Sequence, residues 1–167
     1  MILWKRTDPE GHEAARLDGT TLRGMTVLKD AALTYSVVCD EQWRTISATV
    51  EGWTNDRELG LVIESNGGRW TMNGEHVPAV DGCVDVDLNF SPSTNLLPIR
   101  RLDLDIGEEA SVKAAWLRFP TFILEPLEQS YTRTGDNTYR YKSASFTAEI
   151  TVNEAGLVLE YGVWKAV

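Results

Sequence analysis

Apolar residues recur at every second position over much of this chain. Leu33, Tyr35, Val37 and Cys39 fall on one face of an extended segment, and Leu59, Leu61 and Ile63 on the face of another. Val84, Val86 and Leu88 make a third apolar face, with Asp85 and Asp87 opposite. Leu102, Leu104 and Ile106 alternate with Asp103 and Asp105, and Phe146, Ala148, Ile150 and Val152 with Thr147, Glu149, Thr151 and Asn153. Strand side chains alternate between two faces, so this period of two predicts half-buried β-strands. β-Branched and aromatic content supports the same reading. Asn66-Gly67-Gly68, Asn73-Gly74, Asp81-Gly82 and Gly135-Asp136-Asn137 are turn signals between strands and predict antiparallel hairpins. Residues 108–117 mix helix-favouring Ala and Glu with a strand-like run and are read as strand. Helix is scarce; the best candidate, 92–97, is barely one turn.

Thr34-Tyr35 precedes a strand at Trp43, and about 100 residues later Thr138-Tyr139 precedes one at Phe146. Leu61-Val62-Ile63-Glu64 is echoed by Leu157-Val158-Leu159-Glu160. The expectation is a single domain over 1–167 with internal duplication: approximate halves 1–88 and 98–167 sharing one core, joined by a connector at 89–97. The alternative is chance similarity between antiparallel strands. Either way the fold class is all-β, mostly antiparallel.

The centre of the chain carries the most restrictive chemistry. Pro92 and Pro98 bracket Thr94-Asn95, and Arg100-Arg101 follows at once. Each proline fixes its own φ and biases the preceding residue toward extended backbone. Two readings stand: a rigid connector, or a rim presenting Thr94, Asn95, Arg100 and Arg101 to a polar headgroup. Read as strand residues, the two arginines point to opposite faces, so one of them reaches a given site. Asp85 and Asp87 share a strand face. They are a solvated face, or a carboxylate pair for a cation or shared proton, or one of them pairs with an arginine fork.

The net charge of −9 argues against nonspecific nucleic-acid binding, which needs clustered Lys and Arg. Cys39 and Cys83 belong to no CxxC motif, and no metal site or cofactor is expected. The N-terminal stretch lacks an apolar run of signal-peptide length, and no segment is long enough to span a membrane, so a cytoplasmic location is expected without integral membrane association. No nucleophile elbow, P-loop or dinucleotide fingerprint is present. His12 and His76 lie far apart. Six tryptophans and several tyrosines offer rings for packing or for a ligand. Tyr139 and Tyr141 share a strand face, with Tyr131 on the preceding strand.

Gly82-Cys83, Asp85-Val86-Asp87-Leu88, Pro92, Thr94-Asn95 and Pro98-Ile99-Arg100-Arg101-Leu102 form a pattern. It continues in Tyr35, Trp43-Arg44, Trp70, Gln129-Ser130-Tyr131, Tyr139, Tyr141, Gly156-Leu157-Val158 and Tyr161. Over nearly the whole chain this pattern resembles the Putative glycolipid-binding family of bacterial proteins, a former domain of unknown function. The resemblance implies a duplicated β structure like an incompletely closed barrel, comparable with bacterial lipoprotein-carrier and lipid-binding folds. It transfers no catalytic residue. The family usually has Asp where this chain has Asn153.

The expected function is therefore non-catalytic binding of a glycolipid or another amphipathic molecule in a β-lined cavity. The candidate ligand residues are Thr94, Asn95, Arg100, Arg101, Asp85, Asp87, Tyr131, Tyr139, Tyr141, Trp43 and Trp70. An apolar cavity would hold the tail, with Thr94, Asn95 and one arginine at the headgroup. The alternatives are a structural or protein-interaction module, and a hydrolase or isomerase using carboxylates such as Glu64, Glu125, Glu128 and Glu160 with His76.

Overall fold

The computed structural model describes residues 1–8, 10–55 and 57–167. The chain first runs as a meander: β1 (Ile2–Arg6), β2 (Gly11–Asp18), β3 (Thr21–Leu28), β4 (Ala31–Cys39), β5 (Thr45–Thr54), β6 (Arg57–Asn66), β7 (Arg69–Met72) and β8 (Glu75–His76). Each strand pairs antiparallel with the one before it. Asn73 and Gly74 make the two-residue turn from β7 to β8 with φ of 51° and 81°. Positive φ at both central positions is what a type I′ hairpin turn requires and what Asn-Gly supplies. A 3-10 turn at Pro78–Val80 leads to β9 (Asp85–Leu88). A second 3-10 turn at Ser93–Asn95 runs directly into the helix α1 (Leu96–Leu102). A second meander follows: β10 (Glu109–Arg118), β11 (Ile123–Gly135), β12 (Thr138–Ser143), β13 (Phe146–Val152), β14 (Val158–Tyr161) and β15 (Trp164–Ala166).

All of these strands join one sheet, in the order β8-β7-β6-β5-β4-β3-β2-β1-β15-β14-β13-β12-β11-β10-β9. The fold is all-β, as the period of two predicted: 62% of the chain is strand and 8% helix. The pairing is antiparallel except for β9 against β10. Among the described residues, hydrogen bonds do not close the sheet into a barrel. The segment entering β9 nevertheless ties back to the first meander. Thr45 N–H donates to Val84 O (3.2 Å), Val86 N–H to Thr45 Oγ1 (3.0 Å) and Gly82 N–H to Gly68 O (2.7 Å). The Trp70 indole N–H reaches Cys83 O at 3.0 Å. The segments echoed about 100 residues apart lie on β4–β6 and β12–β14, and β9, inside the first expected half, pairs with β10 of the second.

The alternating strands bury one phase. On β4, Ala31, Leu33, Tyr35, Val37 and Cys39 are all buried, the phase read from the pattern. Leu96, Leu97 and Ile99 of α1 join the same core. The helix is longer than the pattern suggested, running on to Leu102. Pro98 sits in its first turn, where the missing N–H would have had no intrahelical acceptor. The alternation from Leu102 to Ile106 is not a strand. Leu102 ends α1, Asp103 turns left-handed with φ of 44°, and Ile106 is 58% exposed. Because Arg100 and Arg101 lie on a helix, they diverge by about 100° and not by a strand's half-turn.

Nor do Asp85 and Asp87 form a solvated face. β9 is covered on both sides, as a strand in a parallel pair commonly is, and Asp85 is only 2% exposed. Trp70 is fully buried, and its indole fastens β7 to the approach of β9. Trp70→Phe would keep most of the packing and leave Cys83 O without its donor. A loss of about 1–3 kcal/mol in urea unfolding, with unchanged m, is expected. An unchanged midpoint would show that this fastening contributes nothing.

Candidate functional site

Two carboxylates two residues apart on β9 receive different partners. Arg101 reaches down from α1 and grips Asp85 with both arms, Nε to Oδ1 at 3.1 Å and Nη2 to Oδ2 at 2.5 Å. Burial pushes the Asp85 carboxyl up, and the Arg101 hydrogen bonds and charge work against that. Asp87 receives only the neutral Gln129 amide of β11, Nε2 to Oδ2 at 2.6 Å. Among the described residues no cation lies within 4.0 Å of it. Burial raises Asp87 to about 6; the Gln129 bond opposes the rise, and the Asp85 charge adds to it.

Asp87 opens into a pocket of about 430 Å³. Its polar wall is Asp87, Asn89, Ser91 and Asn95, from β9 and the segment leading into α1. Asn89 Oδ1 accepts the Phe119 N–H at 3.1 Å, which fixes that amide and leaves its Nδ2 free of the contact. Asn95 is fixed from both ends: its Nδ2 donates to Pro92 O at 3.0 Å, and its Oδ1 accepts the Tyr131 hydroxyl at 2.9 Å.

Aromatic residues make up much of the remaining lining: Trp116, Tyr141, Phe146, Tyr161 and Trp164. The hairpin β11–β12 sets Tyr131 opposite Tyr141, and their rings meet edge-to-face at 5.3 Å. Tyr141, Phe146 and Tyr161 make a corner, with centroids 5.6, 5.9 and 6.1 Å apart and interplanar angles of 87°, 89° and 56°. Edge-to-face contacts of this kind follow from the ring quadrupole. Burial, with the nearby Asp87 charge, pushes the Tyr141 hydroxyl up to about 12. Arg6 stands at the side, its guanidinium 5.4 Å over the Trp164 ring and Nη2 3.4 Å from Asp8. Its Nε is buried with no hydrogen-bond partner among the described residues.

The family model described as Putative glycolipid-binding matches residues 1–165. This chain belongs to that family. The crystal structure of a DUF1089 family protein from Pseudomonas aeruginosa is similar over 97% of this chain and 95% of that one, with a TM-score of 0.88 and 30% identity. No match was found among curated proteins.

The family pattern scatters over this fold. Of the residues singled out from sequence, Asp87, Asn95 and Tyr141 line the pocket, and Tyr131 lies directly behind it. Thr94 is buried, accepting the Leu88 N–H at 3.3 Å. Tyr139 is buried beneath the Arg133 guanidinium, 5.9 Å from its ring. Asp85 and Trp70 hold the framework. Trp43, Arg100 and Arg101 line a separate polar groove of about 1040 Å³ that shares no residue with the pocket. There Arg100 sits 5.4 Å over Trp43 and donates to Ala155 O at 3.0 Å.

A buried polar cluster behind Ser91 was not anticipated at all. Glu13 of β2 is 2% exposed. Its Oε1 accepts the hydroxyls of Tyr35 and Ser91, each at 2.6 Å, and its Oε2 accepts Thr26 Oγ1 at 3.1 Å. Ser93 completes the set, 2.6 Å from both Ser91 and Tyr35. Tyr35 fits because Gly24 stands opposite it; a Cβ there would lie 2.2 Å from the hydroxyl oxygen. The available signal was phase, since Glu13 alternates in step with Gly11 and Ala15, which are also buried. Burial raises Glu13 to about 7, although four hydroxyl contacts oppose it.

Glu13 and Asp87 thus hold protons more tightly folded than unfolded. Their contribution to stability is complete below the ordinary carboxylate range near pH 4 and is lost as pH rises through about 6 and about 7. The urea midpoint should fall across that window, and Glu13→Gln should flatten the fall. A variant with the wild-type slope would place the titration elsewhere.

Proposed function

We propose that this protein binds the hydroxyl-rich headgroup of a glycolipid, or of a comparable amphiphile, in the pocket between Asp87 and the Tyr141–Phe146–Tyr161 corner, without turning it over. The observation that carries this reading is that pre-oriented polar groups and a cluster of aromatic rings line one pocket of about 430 Å³. That volume lies in the range of small-molecule sites, roughly 300–1000 Å³. A sugar ring has hydroxyls for Asp87, Asn89 and Asn95 and an apolar face for the rings. Leu127, Val163 and Phe146, which is 44% exposed, give the start of an alkyl chain an apolar edge. The family description points the same way. Binding is favoured over glycoside hydrolysis because Asp87 is the one carboxylate among the described lining residues, and that chemistry usually uses two.

On this reading Arg100 and Arg101, which line the other groove, do not meet the headgroup. The test is calorimetric titration with octyl β-glucoside below its micelle concentration. Phe146→Ala, at an exposed site of low structural cost, should weaken binding about fivefold to tenfold, in line with ~1 kcal/mol per aromatic contact. Arg100→Ala should leave it unchanged. Binding lost in Arg100→Ala and kept in Phe146→Ala would move the site to the second groove; no binding by the wild type would overturn the reading.

A further inference from the structure

We infer that the headgroup accepted by this pocket carries a protonated amine, as an amino sugar does, and that Asp87 is its counter-charge. This rests on the binding reading above and narrows its ligand class. The starting point is the contrast within β9. Asp85 has a guanidinium gripping both oxygens, whereas Asp87 has one neutral amide on Oδ2. Gln129 satisfies a lone pair and leaves the charge standing.

Among the described residues, every neighbour that faces Asp87 is neutral or negative at neutral pH. Asp85 shares its strand, Trp116 lies opposite it in register on β10, and Gln129 and Tyr131 come from β11. Tyr141 of β12 and Tyr161 of β14 complete the surroundings, each with its hydroxyl pKa raised partly by the Asp87 charge. Two arginines lie in the surroundings, and neither comes within 4.0 Å of Asp87. Arg6 lies over Trp164 and beside Asp8, and Arg118 lies 5.7 Å over Trp116 with Nη1 3.4 Å from Glu125. Asp87 is therefore the one carboxylate among the described lining residues, and it has no cation within 4.0 Å, although Arg6 lines the same pocket.

Water screens that charge while the pocket is open. A ligand that fills the pocket expels the water, and a half-buried carboxylate without a counter-charge is costly. A ligand offering hydroxyls alone meets the hydrogen-bonding valence and drives Asp87 toward its protonated form. A ligand offering an ammonium keeps Asp87 ionised and pairs with it, and the adjoining tyrosine rings add cation–π attraction. The excess of acidic residues over the whole chain attracts a cationic ligand at long range.

Three probes separate the alternatives: octyl 2-amino-2-deoxy-β-glucoside, its N-acetyl form as a neutral control, and octyl β-glucoside. Near pH 7 the amine should bind about tenfold more tightly than either neutral probe. Its advantage should disappear as pH falls through about 6, the range in which Asp87 takes up its proton. Asp87→Asn should abolish the preference, so that this variant binds the amine no more tightly than the two neutral probes. If the wild type binds amine and neutral probes equally, the amine assignment is overturned and the headgroup pocket stands. If none of the three binds, both readings fall. Should Asp87→Asn not fold, the wild-type pH profile decides alone, and a preference unchanged across that range overturns the role of Asp87.

Discussion

A sheet that hydrogen bonds do not close must bury one of its faces against the rest of its own chain. Here the stretch from Ser91 to Leu102 meets that demand, with Leu96, Leu97 and Ile99 in the core. Apolar packing alone would leave its position loosely specified, because burial is not directional. Three polar fastenings give it a single seat. Ser91 bonds to Glu13 of the first meander, Asn95 bonds to Tyr131 of the second, and Arg101 clamps Asp85 on the edge strand. The pocket follows from that seating. Ser91 and Asn95 belong to the fastenings and also to the pocket's polar wall, so the wall is rigid before any ligand arrives.

The different fates of Asp85 and Asp87 show how little a residue type says about its job. Alternation puts both on one face of an ideal strand, and a helix passing over one end supplies a cation to only one of them. Paired, Asp85 holds two elements together. Left with an amide, Asp87 keeps a half-buried carboxylate facing open space. Perturbed groups of that kind concentrate at sites of function.

The strands were legible because each buries one phase of a period-two pattern over many residues, β4 most plainly. The end of the helix was not, because Leu102-Asp103-Leu104-Asp105-Ile106 imitates a strand and only the left-handed turn at Asp103 breaks it. The central segment was rightly seen as unusual, and Asp87, Asn95 and Tyr141 do meet at one pocket. The rest of that pocket was beyond reach. Trp164 and Phe146 come to Asp87 through the order in which strands assemble, which no local spacing encodes. Arg100 and Arg101 looked like ligand groups because a cation next to prolines suggests a rim; a helix turned them toward a different groove.

The position of β1 beside β15 has a consequence of another kind. The two meanders are each built from neighbours in sequence, yet they are sewn together in the middle of the sheet by three residue pairs from opposite ends of the chain: Trp4 with Ala166, Lys5 with Lys165 and Arg6 with Trp164. Contacts of such long sequence separation are the slow ones to form. Pairing each strand with the one before it in the chain cannot by itself complete this sheet, because β8 and β9 follow each other in sequence and stand at its opposite edges. As a mechanical object the molecule has a seam, and Arg6 and Trp164, both on the wall of the pocket, are stitched at its end.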